Sequence, residues 1–203
     1  MKMVLGPIPT SRTLRPVVGI WTPLSNSDSA SFTALATSLA MVPVVIGLLV
    51  LFSDNAATIL RFREDKVHFG VFVACLVMLV PMHELIHAVA YFKPLRSPQM
   101  VVGVWPRRCM CYVVYDEPLP RFRVLLMSIS PFLILTCVPA LVLFWIDPPF
   151  RSAVAFVVLV HTSLCAGDAL VVWRLLAQVP PGALVHNDGW TTYWKLPAPE
   201  SPA

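Results

Sequence analysis

Charge is what this chain has least of. Lys, Arg, Asp and Glu together make up 13% of its 203 residues, where a soluble globular domain carries roughly 25%. The shortage excludes an ordinary water-facing surface over most of the chain. A hydrophobic content of 57% and a mean hydropathy of +0.74 turn that exclusion into an expectation of membrane. Cysteine is also scarce and unpaired in number. Cys75, Cys109, Cys111, Cys137 and Cys165 are five, and three of them lie in apolar stretches, so no disulfide framework is built from them. Cys109 and Cys111 would share one face of a strand, and they read as ordinary thiols of a reducing compartment. An internal repeat and a polar stretch long enough to fold alone are missing too.

The apolar residues fall into four long runs, about Thr33–Phe52, His68–Phe92, Val124–Ile146 and Ser152–Val179. Each approaches or exceeds the ~20 residues that cross a bilayer as a helix. The expected fold class is therefore all-α: a polytopic membrane protein of about four transmembrane helices. Residues 1–30, polar and rich in Pro and Ser, lack the apolar core of a signal peptide and read as a flexible tail. Residues 31–195 read as one integral-membrane domain, and 196–203 as a second flexible tail. Between the second and third helices, "QMVVGVWPRRCMCYVVYDEPLP" sets two Val/Tyr/Trp-rich runs around a Pro-Arg-Arg break. This reads as a short cytoplasmic hairpin, whose edge is suited to holding an extended peptide by strand addition. With both termini inside, eleven Lys and Arg fall on the cytoplasmic side and four outside, as the positive-inside rule requires. The net charge of +4 then reflects topology and gives no reason to expect nucleic acid.

Inside the second run stands "VPMHELIHAVAY". Residues four apart share a helix face, so His83 and His87 can offer two imidazoles to one metal ion. Glu84 lies beside them as general base toward a bound water, the arrangement of zinc hydrolases. Ionisable groups at such depth are costly and face a cavity or a partner. Pro81, just before the motif, is placed to kink the helix or open its backbone.

A catalytic zinc site takes three protein ligands and keeps one position open. Asp168 is the acid deep in the fourth run. At about 1.5 Å per residue it lies at the same depth as His83 and His87, ~22–28 Å from the outer boundary. Gly167 beside it would permit close helix approach. Asp188, in "HNDGW" after the helix-ending "VPPG", is the rival third ligand. His161 is seven residues before Asp168, an axial gap of about 10 Å. It is too far to share an ion with Asp168 on a straight helix, and suited to bonding substrate or a neighbouring helix.

These residues resemble the membrane-embedded metalloproteases of the site-2 protease type, and more closely a family of zincin membrane peptidases. The likeness runs from about His68 to Trp194. It rests on "HELIHA", "CYVVYDEPLPRFRVLLMSISPFLI", "HTSLCAGDALVVWRLL" and "LVHNDG". Arg123 with Pro131, and His161 with Gly167 and Asp168, match the spacing of that family's later blocks. The "N-x-x-P-x-x-x-L-D-G" stretch of the better-known site-2 proteases is not reproduced. The resemblance implies Zn2+ on His83, His87 and Asp168 with Glu84 as base, and a membrane-spanning or membrane-adjacent peptide as substrate, cut near the cytoplasmic face. The rival functions are a zinc hydrolase of a lipid amide or ester, and a non-catalytic metal-binding relative.

Overall fold

The structure is a computed structural model that describes residues 1–11, 20–24, 42–43, 45–46, 66–108, 110–146, 148–189 and 191–197. The first apolar run lies almost wholly outside the described residues, as do Cys109 and most of the C-terminal tail. The chain divides into two compact units. The first comprises Met1–Asn26, Glu84–Ser128 and Val171–Ala203, the second Ser27–His83 and Ile129–Leu170.

Four helices are described. α1 is Lys66–Ala90, α2 is Arg121–Trp145, α3 is Pro148–Leu164 and α4 is Ala166–Gln178. α1 continues through Pro81 as one 25-residue helix. α2 carries a π turn over Leu133–Cys137, marked by the Val138 N–H reaching back to Leu133 O. Such single π turns inside α-helices concentrate at functional sites. α3 and α4 are one apolar stretch bent by 44° at Cys165. The spans Phe69–Ala90 in α1 and Arg121–Trp145 are long and apolar enough to cross a membrane. Their apolar side chains are extensively exposed, Val77 at 67% and Leu141 at 66% among them, as helices solvated by lipid would be.

The all-α expectation is wrong. The protein is mixed α/β, with seven strands in two sheets among the described residues. β1 is Lys2–Leu5, β2 Thr22–Pro23, β3 Met100–Trp105, β4 Met110–Tyr115, β5 Leu119–Pro120, β6 Leu184–Asp188 and β7 Thr191–Lys195. Both sheets belong to the first unit. In one, the order is β1-β3-β4. β3 and β4 form the hairpin, in register from Met100↔Tyr115 to Trp105↔Met110, and β1 runs parallel to β3. In the other, the order is β2-β7-β6-β5. β6 and β7 pair as a hairpin, and Gly189, where β6 ends, has φ 58°. A tight hairpin needs that left-handed backbone, which glycine adopts at no steric cost. The N-terminal stretch read as a tail thus supplies a strand to each sheet.

The correction has a physical cause. The β-branched and aromatic residues of "TTYWK" and "LVHND" favour strands, but each run is short beside the apolar spans. Their partners lie as far away as Thr22, which pairs with Trp194. Between the two sheets' elements a core forms in which Met100, Leu175 and Ala183 are fully buried, joined by Tyr91, Tyr115, Leu119 and Val185.

Candidate metal centre

His83, Glu84 and His87 occupy the last two turns of α1, with the two histidines one turn apart on one face. His83 is 7% exposed and His87 6%, whereas Glu84 is half-buried. In the first unit, His87 Nδ1 lies 2.9 Å from Met127 O. A carbonyl can only accept, so Nδ1 carries the proton and Nε2 is left with its lone pair. That is how a ligating histidine is oriented by the group behind it.

In the second unit, His83 Nε2 is 3.1 Å from Asp168 Oδ2. Asp168 sits in the first turn of α4, just past the bend. Two imidazoles and a carboxylate are a donor set suited to catalytic zinc, and burial keeps the histidines from bulk water.

His161 is 0% exposed. Its Nε2 is 3.2 Å from His83 Nδ1 and its Nδ1 is 2.8 Å from Thr136 Oγ1. The bonding partner on a neighbouring element that the sequence suggested for it is therefore α1, together with the π turn of α2. Cys165 Sγ approaches it at 3.7 Å. The ligand atoms of His83, His161 and Cys165 all lie within 4.8 Å of one another. Among the described residues, a Cβ on Gly167 would meet nothing within 4 Å, so close packing does not explain that glycine. Arg123 and Pro131 both lie on α2, with Pro131 fully buried.

Asp188 belongs to the first unit, where Oδ1 accepts the Ser11 N–H at 2.7 Å. Beside it is a cluster that the sequence did not reveal. Ser11 Oγ donates to Asp116 Oδ1, so His186 Nε2, 2.9 Å from Ser11 Oγ, must donate to it. Asp116 Oδ1 also lies 3.5 Å from His186 Nε2. His186 is 2% exposed and its Nδ1 has no partner among the described residues. A nucleophilic triad needs the acid on the ring nitrogen opposite the serine. Here serine and acid share one nitrogen, so the cluster clamps the N-terminal segment and activates nothing. Burial pushes the His186 imidazole down, against the pull of Asp116, Asp188 and Glu117. The only advance sign of this cluster was "HNDG", since Ser11 and Asp116 are far apart in the chain. Thr136 was likewise invisible, because its orientation depends on the π turn.

On β4, burial and then the charge of Glu84 raise the Cys111 thiol, which puts the edge strand within electrostatic reach of the glutamate. No curated protein and no solved structure matches the chain. Residues 76–184, more than half of the length and containing His83, Glu84, His87, His161 and Asp168, match the family described as "putative zincin peptidase", and the chain belongs to that family.

Proposed function

We propose that this protein is a zinc metallopeptidase acting at a membrane, with His83, His87 and Asp168 as metal ligands and Glu84 as general base. Membership in a zincin family implies zinc and peptidase chemistry. The observation that carries the finer assignment is the 3.1 Å approach of Asp168 Oδ2 to His83 Nε2. It is supported by His87, whose Nδ1 is already committed to Met127 O. Asp188 lies beyond the matched segment and is engaged by Ser11, which favours Asp168 as third ligand.

Bound zinc would lower the pKa of water toward about 7 and polarise a carbonyl. Glu84, half-buried beside the ligands, takes the proton from the attacking water and returns it to the leaving amine. Substrate is a membrane-spanning or membrane-adjacent peptide held extended. β1 covers one side of β3, and β4 is an outer strand of its sheet. A peptide added along β4 would lie near the glutamate that Cys111 senses. On this reading the protein acts as an intramembrane protease of the site-2 type. The pairing of β2 with β7 supports a topology that keeps these two strands on one side of the bilayer, which the charge pattern makes the cytoplasmic side.

The test combines zinc quantification with a peptide-cleavage assay. Glu84→Gln keeps stoichiometric zinc and loses cleavage, whereas His83→Ala and Asp168→Ala lose both. Asp188→Ala keeps both. Full zinc in His83→Ala, or zinc lost from Asp188→Ala and kept in Asp168→Ala, overturns the ligand set.

A further inference from the structure

A histidine that binds metal through one nitrogen must place its proton on the other, and whatever accepts that proton fixes the ring. For His87 the acceptor is Met127 O. For His83 the atom facing Nδ1 is His161 Nε2, at 3.2 Å. His161 is in turn held at 2.8 Å by Thr136 Oγ1, and Thr136 is a buried residue of the π turn in α2.

We propose that His161 is a positioning residue for His83. His83 Nδ1–H donates to His161 Nε2, and His161 Nδ1–H donates to Thr136 Oγ1. Each ring then carries one proton, and the His83 Nε2 lone pair would be free for a metal held between it and Asp168, whereas without metal Nε2–H donates to that carboxylate. The π turn is what makes the second bond, by turning a threonine toward the second imidazole. Complete burial of His161 removes water as a competing partner, so a metal on His83 Nε2 would set the direction in which the bonds run. This inference rests on the zinc reading above. A soft-metal site among His83, His161 and Cys165 would instead put the ion on His83 Nδ1 and His161 Nε2, and leave His83 Nε2–H to donate to Asp168.

The experiment is zinc affinity of the full-length purified protein, by chelator competition. The cobalt-substituted absorption spectrum is recorded for the wild type and four variants. His161→Leu is expected to weaken zinc binding about ten- to hundredfold and to shift the cobalt bands, since loss of such an outer bond costs that much. His161→Gln, whose amide oxygen can accept from His83 Nδ1, regains most of the affinity. Thr136→Val weakens binding by a smaller factor, and Cys165→Ala leaves it unchanged. Wild-type affinity in a folded His161→Leu protein overturns the proposal. If His161→Leu does not fold, Thr136→Val and His161→Gln decide, and unchanged binding in Thr136→Val overturns it. Zinc lost from Cys165→Ala as fully as from His161→Leu overturns it in favour of the soft site. A wild type that binds no zinc fails at the earlier step and removes the zinc reading itself, whatever His161 does.

Discussion

His186 is held in one protonation state by what surrounds it. Its Nε2–H is donated to Ser11 Oγ and its Nδ1 is buried without a partner among the described residues. A second proton on Nδ1 would have no acceptor, and burial lowers the pKa although Asp116, Asp188 and Glu117 oppose that effect. The neutral form is the folded form. Its contribution is therefore complete above the unfolded value of about 6.5 and is lost as pH falls below it. Thermal unfolding should show a fall in stability between pH 7.5 and pH 5.5 that is smaller in His186→Gln. An equal fall in both proteins contradicts this account. Beyond "HNDG" none of it was legible in the sequence, because Ser11 and Asp116 reach His186 only through the fold. His83, Glu84 and His87 were legible because their chemistry is written in local spacing. That Asp168 would lie near His83 was expected from depth, a coordinate that apolar helices supply, and from the family resemblance.

Among the elements, the hairpin and the long helices follow from pattern. β3 and β4 flank their Pro-Arg-Arg turn as the Val and Tyr runs require, and α1 and α2 follow the apolar runs to within a few residues. The π turn and the second sheet do not follow from pattern, since neither periodicity nor hydropathy encodes a partner far along the chain. Gly103 shows how closely the first sheet is fitted. It faces Tyr112 across the hairpin, and a Cβ there would land inside the tyrosine ring. The Tyr112 hydroxyl donates toward Pro7 O at 3.1 Å and Gly6 O at 3.3 Å. Burial raises its pKa, so it remains a donor. Gly103→Ala should force the ring off those carbonyls and destabilise by about 1–3 kcal/mol, seen as a lowered Tm. In a Tyr112→Ala background most of that loss should vanish. An undiminished loss there would refute the steric cause.

For the whole molecule, the proposed ligands ride on α1 and α4, which are separated by long stretches of chain. A ligand that binds only the folded state stabilises it by mass action, about 2.7 kcal/mol at a hundredfold excess over Kd. A strong chelator should therefore lower the Tm of the wild type and leave that of Asp168→Ala where it was. A wild-type Tm indifferent to chelator would speak against zinc spanning the two helices. The β2–β7 pairing of Thr22 with Trp194 carries a different consequence. During synthesis β2 leaves the ribosome early, and its partner follows some 170 residues later. Across that interval the apolar spans are made and can enter the bilayer. The second sheet can close only after Thr191–Lys195 has emerged, so its closure follows the making of the apolar spans. A chain halted before that point has β2 without its partner strand.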